Sequence, residues 1–489
     1  MILQNPYKKE RRSGVLLHPS SLWGDYSIGS LGKESYEFSD FLSECGFSVW
    51  QTLPFCIPDE YNSPYKSPAA FSLNPYLIDL PTLHGEGYIT ESELLSARQS
   101  SPYLCEFPRL KDERMALLFS AAERASHDSE LISKIDALFD AWPELSAAAE
   151  FLSLLELNGG LPWQKWKINT PDPKRLFGWK FIHYEFFMQW MRLKEYANSK
   201  GIEIIGDMPI YVDLNSSDVW SSPESFLLDD EGFPRVVAGV PPDYFSEDGQ
   251  MWGNPIYNYR NMKRDGFSFW KRRIEFLLTL FDGIRIDHFR AFESFYTIPA
   301  DAKNARSGKW QKGPGRAIID AIKSVSDGKY IIAEDLGVIT DKVDALRRYS
   351  GFPGMKVLQF AFLGDADSPH LPHNFDKNTV AYTGTHDNNT LYGFLAELDE
   401  GTRAQILEYF GCHGKDLREA AVTITAALLA TSADTVILPI QDLLAYGRDT
   451  RMNTPGKSDG NWAYRLTREQ LFEIDRQKYC RLNRLYGRI

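Results

Sequence analysis

The chain is poor in features that would tie it to a membrane, an oxidising compartment or a polyanion. Its five cysteines, Cys45, Cys56, Cys105, Cys412 and Cys480, are scattered over 489 residues without a C-x-x-C pair. An odd, dispersed set excludes a disulfide framework and reads as the reduced thiols of a cytoplasmic protein. Long apolar runs are missing too. "GVLL" after the basic start is too short for a signal peptide. The most hydrophobic stretch, "AAVTITAALLATSADTVILPI", is broken by Ser432-Ala433-Asp434, so a buried helix, a turn and a strand are expected there, not a membrane span. Without secretion, the N-x-[ST] matches at Asn215 and Asn388 carry no weight. Cationic excess is absent: 54 Lys and Arg face 66 Asp and Glu, for a net charge of −12. Nucleic-acid affinity rests on clustered cations, so no nucleic-acid partner is expected. "KKERR" near the start reads as a solvated segment. "SIGSLGKES" falls short of a phosphate loop, with Ser27 at the first glycine position and Glu34 at the Ser/Thr position. Neither HExxH nor a His/Cys cluster with metal spacing occurs, and no metal or organic cofactor is expected.

What remains is an ordinary globular composition, 43% hydrophobic and 25% charged. Short β-type runs recur: "GVLLH", "SVWQTLPF", "IEIIGDMPIYV", "DGIRID", "YIIAEDLG", "KVLQFAF", "TVAYTGTHD" and "TVILPIQD". Most follow a helical pattern, as "DKVDALRRYSG" precedes "KVLQFAF", with Gly351 placed to cap the helix. Alternating helix and strand implies a parallel sheet. Eight such strands predict an α/β fold, a (β/α)₈ TIM barrel with helical and loop insertions, as one catalytic domain over 1–489. Residues of about 90–200 read as almost pure helix, a helical insertion subdomain broken by "LPWQKWKINTPDPKRLFGW".

Chemistry enters at the strand ends. In "FDGIRIDHFR", Ile284 and Ile286 alternate with Arg285 and Asp287. The preceding "KRRIEFLLTLF" sets Ile274, Leu277, Leu278 and Phe281 on one helical face. In a barrel the isoleucines then face the helices while Arg285 and Asp287 point inward. Asp287 closes its strand and belongs at the C-terminal rim, where barrels keep their polar chemistry. Taken alone, the motif is equally a structural Arg–Asp pair. "KYIIAEDLGV" ends in Glu334-Asp335; Asp335 falls on the opposite face and reads as a capping or ion-pair residue. "TVAYTGTHDNNT" ends in His386-Asp387. Carboxylates converging on one rim raise one another's pKa, which makes an acid and a base from the same side-chain type. Such pairs suit glycosidic-bond chemistry.

Aromatic residues make up 13% of the chain, and many lie in Gly/Pro-rich segments. These are 60–76 ("EYNSPYKSPAAFSLNPY"), 238–257 ("AGVPPDYFSEDGQMWGNPIY") and 451–465 ("RMNTPGKSDGNWAYR"). Beside a carboxylate rim, a flat ring suits the apolar face of a sugar. In order along residues 14–466, "VAGVPPDYFS…GQMWGNPIY", "GIRIDHFR", "AEDLG", "GMKVLQFAF", "YTGTHDN" and "RMNTPG…GNWAYR" together resemble the amylomaltase family of 4-α-glucanotransferases, also called disproportionating enzymes. The resemblance implies an α-amylase-type barrel and a retaining double displacement. Its substrates would be maltooligosaccharides and glycogen or starch-type α-glucans. It also implies Asp287 as nucleophile, Glu334 as general acid/base and Asp387 as the carboxylate that holds the distorted donor sugar. Arg285 matches the arginine that keeps the nucleophile ionised, His386 a transition-state donor and Asp213 a further aspartate of the site. The spacing in "EYNSPY" is one residue shorter than the family pattern, so Tyr61 and Tyr65 compete for the stacking role beside Ser63. Trp252, Tyr244 and Phe245 fall in a lid-like loop, 238–257, over the groove. His288, Asn453 and Trp462 complete the expected sugar contacts. A hydrolase with the same carboxylates is the alternative reading.

Overall fold

Each of the eight β-type runs forms a strand, and the eight close on one another. The computed structural model describes residues 11–242, 247–362 and 364–489. In chain order its strands are β1 (Arg12–Leu16), β2 (Val49–Gln51), β3 (Glu203–Met208), β4 (Val236–Val240), β5 (Gln250–Pro255) and β6 (Gly283–Ile286). There follow β7 (Ser294–Pro299), β8 (Lys309–Lys312), β9 (Tyr330–Ala333), β10 (Gly354–Val357), β11 (Thr379–Tyr382) and β12 (Thr435–Pro439). The closed barrel runs β1-β12-β11-β10-β9-β6-β3-β2, and its paired strands are parallel. Closure leaves no sheet edge, and the helices cover the outside.

The helix Ser268–Leu280 shows how sequence sets this packing. Ile274, Leu277 and Leu278 are buried on its inner face, and Phe281 is fully buried where the chain turns into β6. Phe281 packs so closely on β3 that a Cβ at Gly206 would lie 2.2 Å from its ring, so only glycine fits there. Gly351 caps its helix as expected: with φ 77° it is left-handed, and its N–H reaches the Arg347 carbonyl at 3.1 Å. Around Ser432-Ala433-Asp434 the helix Leu417–Leu428 indeed gives way to β12. Among the described residues no helix is long and apolar enough to cross a membrane.

Between β2 and β3 lie the helices Glu91–Ser96, Met115–Ala125, Ser129–Ala141 and Pro143–Leu157. The last helix of that stretch, Pro173–Ser199, is different. It runs directly into β3, and its Trp190 packs edge-on to Phe55 and Phe281 and donates its indole N–H to the Leu280 carbonyl. It therefore also belongs to the barrel's outer ring.

The segment 238–257 departs from expectation. Its described part is not an open loop: β4 and β5 pair antiparallel, and β7 and β8 extend them into a four-stranded sheet, β5-β4-β7-β8. Pro241-Pro242 and Gly249 suggest a loop by composition, but they sit at the hairpin tip, where such residues do not interrupt a ladder. This sheet is built from the excursions that follow β3 and β6, at the C-terminal ends of the barrel strands.

Candidate active site

The site grows upward from the barrel interior. Arg285 points inward from β6, is buried, and its Nη1 donates to both oxygens of Asp207 at 2.7 and 2.8 Å. Asp207 lies directly beside it in register on β3. The second guanidinium nitrogen, Nη2, lies 2.9 Å from Asp287 Oδ1. Burial alone disfavours the arginine's charge, but Asp207 and Asp287 outweigh it and hold the group cationic well above its usual range. Asp287, at the end of β6, thus meets a fixed, preorganised cation.

Glu334 follows β9. Its Oε2 accepts from the His288 N–H at 2.6 Å and its Oε1 from the Leu336 N–H at 2.8 Å. Burial, and then the charge of Asp287, push its carboxyl up to about 7, against the opposing pull of Arg285 and of these two N–H groups. His288 is left-handed at φ 47°, a conformation few non-glycine residues adopt, and there its N–H meets Glu334. Its imidazole, pushed down to about 4 by burial, is neutral at physiological pH.

The third wall follows β11. Asp387 Oδ1 accepts from Asn453 Nδ2 at 2.7 Å and lies 3.3 Å from His386 Nε2. The Asn453 N–H donates to the His386 carbonyl at 3.1 Å, tying the segment 451–465 to this wall. Tyr65 stacks on His386 with ring centroids 4.8 Å apart and donates its hydroxyl to Asp207 Oδ2 at 2.7 Å. Trp462, also left-handed (φ 63°), closes the aromatic group 5.8 Å from Tyr65.

The remaining candidates divide. Of the two tyrosines, Tyr65 joins the carboxylate cluster, while Tyr61 is 51% exposed. Ser63 shapes the turn between them: its N–H donates to Asp59 Oδ1 at 2.8 Å, and its hydroxyl accepts from the Tyr65 N–H at 3.3 Å. Asp213 is engaged with its own loop, accepting from the Asn215 N–H at 2.7 Å and facing Lys66 at 3.4 Å. Asp335 is the expected ion-pair residue, 3.2 Å from Arg347 and bound by the Met355 N–H. Trp252 sits on β5, edge-on to His288 at 5.0 Å, beside the turn that follows Asp287. Tyr244 and Phe245 lie outside the described residues. One member of the site was missed: Asp207. It is an acidic residue inside an apolar strand, the same signal that singled out Asp287. Among the described residues, no group of three or more His, Cys, Asp or Glu side chains is placed to hold a metal ion.

A family model described as 4-alpha-glucanotransferase matches residues 17–470. The chain is 42% identical to the 4-alpha-glucanotransferase of Thermus thermophilus, over 93% of this chain and 95% of the relative. It is 40% identical to the chloroplastic/amyloplastic 4-alpha-glucanotransferase of Arabidopsis thaliana, over 99% of this chain and 86% of the relative. Among solved structures, an amylomaltase from Streptococcus agalactiae in complex with acarbose superimposes with a TM-score of 0.93 at 36% identity, covering 98% of this chain and 100% of that one.

Proposed function

The chain belongs to the 4-alpha-glucanotransferase family, and from that premise we propose how its residues carry the transfer. It is an enzyme acting on α-glucans, and the hydrolase alternative is not favoured. In our reading Asp287 attacks the anomeric carbon of the donor, forming a C1–O bond while Glu334 protonates the departing glycosidic oxygen. The leaving glucan then gives way to an acceptor. Glu334 takes the proton of the acceptor's 4-hydroxyl, which attacks C1 and releases Asp287. The observation that carries this reading is the coupling of the two carboxyls. Burial, and then the charge of Asp287, raise Glu334 to about 7, so that a large share of it carries the proton near neutral pH. Once Asp287 is an ester that charge is gone, the pull of Arg285 remains, and Glu334 becomes the stronger acid whose conjugate base the second step needs. Arg285 and Asp207 hold the nucleophile, and Asp387 with Asn453 and His386 binds donor hydroxyls.

Maltooligosaccharides and longer glucans of the glycogen or starch type are the donors and acceptors we propose. A cytoplasmic location is supported by five thiols that are all free of disulfides. Incubation with maltotriose, with products resolved by length, tests the reading. Glucose together with maltopentaose and longer chains is expected; glucose and maltose alone would mean hydrolysis.

A further inference from the structure

Arg290 lies just beyond the nucleophile, in the short turn Phe289–Phe292, and is buried. Its Nη1 donates to the Val338 carbonyl and its Nη2 lies 3.4 Å from Ser294 Oγ. The guanidinium is seated 4.0 Å from the ring centroid of Trp310, on β8, and that ring packs edge-on to Tyr296 at 5.2 Å. Its Nε has no partner among the described residues. A buried arginine fixed mainly by a ring and a backbone carbonyl contributes little as a bare charge, so its position is informative. Val338 is 68% exposed and belongs to the loop that leaves Glu334. Within that loop the Leu336 N–H is the donor that fixes Glu334 Oε1. From the other side Glu334 Oε2 is fixed by the N–H of His288, the residue that leads into Arg290's turn.

We infer that Arg290, seated by Trp310, is a positioning residue for the general acid: it clamps the 336–338 loop to the turn after Asp287 and so holds both donors that aim the Glu334 carboxyl. This rests on the assignment of Glu334 as acid. Loss of the clamp frees the Val338 carbonyl, and the Leu336 N–H can drift from Glu334 Oε1. A misplacement of this kind costs a proton transfer far more than it costs binding.

The test compares two donors in the full-length enzyme. Maltotriose needs a proton delivered to its leaving oxygen. α-Maltotriosyl fluoride does not: Asp287 forms the same C1–O bond while C1–F breaks and fluoride departs with the electron pair. Arg290→Met is expected to slow maltotriose turnover by about 10- to 100-fold. Its first-turnover fluoride release should stay within about threefold of wild type. Arg290→Lys, whose ammonium can still reach the Val338 carbonyl, should recover part of the maltotriose rate. Should Arg290→Met fail to fold, Trp310→Leu unseats the guanidinium and is expected to lower the maltotriose-to-fluoride ratio in the same direction. A parallel loss with both donors, or an unchanged ratio in the folded variants, would overturn the inference. Glu334→Gln is the reference. If it shows the split and the Arg290 variants do not, only the positioning role fails; if it loses both donors equally, the acid assignment fails and takes this inference with it.

Discussion

At the scale of single residues, the site works by placing charged groups where water would not hold them. Glu334 stands at about 7 in the folded protein against 4.5 for an unperturbed glutamate. The folded state thus holds this proton more tightly than the unfolded chain does. Its contribution to stability is whole below the lower value and is lost as pH rises through the higher one. Glu334→Gln, neutral throughout, escapes that loss. Thermal melts should show its stability relative to wild type rising as the pH is moved from below 4.5 to above 7; a constant difference would place the carboxyl in an ordinary environment. Asp207 bears on stability through its ion pair with buried Arg285. Its carboxylate is the larger half of the pairing that compensates buried Arg285. Asp207→Asn should destabilise the fold by about 3 kcal/mol in denaturant titrations and lower activity as well, since breaking a buried pair leaves a charge under-compensated. A change below about 1 kcal/mol, the range of exposed pairs, would show that Asp287 alone suffices for Arg285.

At the scale of elements, what could be read from sequence depended on whether an element declares its own period. The barrel strands did: in β6 the alternation of Ile284 and Ile286 with Arg285 gives the inward face without knowledge of any partner. The same period separated Glu334 from Asp335, and the structure assigns Asp335 to Arg347 as that period suggests. Asp207 carried this signal too, but the partner that explains it is Arg285, 78 residues along the chain, and only strand register brings them side by side. The β4–β5 hairpin was illegible for another reason. Its ladder depends on pairing with β7, while its glycines and prolines advertise a loop. Placing Trp252 on a strand sharpens its role, because a ring held edge-on to His288 is fixed, not hovering over the groove. Trp252→Ala should therefore reduce transfer to maltooligosaccharides more than hydrolysis, by excluding less water and holding the acceptor less well, with a melting temperature close to wild type. A markedly lower melting temperature with an unchanged transfer-to-hydrolysis ratio would assign Trp252 to packing.

At the scale of the whole molecule, the parallel barrel is what makes one site of distant residues. Asp287, Glu334 and Asp387 follow β6, β9 and β11, and strands running the same way bring all three ends to one rim. The additional sheet stands on that rim through β5, whose Trp252 touches the turn after Asp287. In the proposed mechanism a glucan is carried, between donor and acceptor, on Asp287. Glu334→Gln supplies the direct measurement, because it lacks the proposed base of the second step yet retains the proposed nucleophile. Given α-maltotriosyl fluoride and no acceptor, that variant should accumulate a covalent maltotriosyl adduct. Proteolysis and mass spectrometry should place the adduct on the peptide containing Asp287. An adduct on any other carboxylate, or a product of inverted anomeric configuration with no adduct at all, would contradict the account.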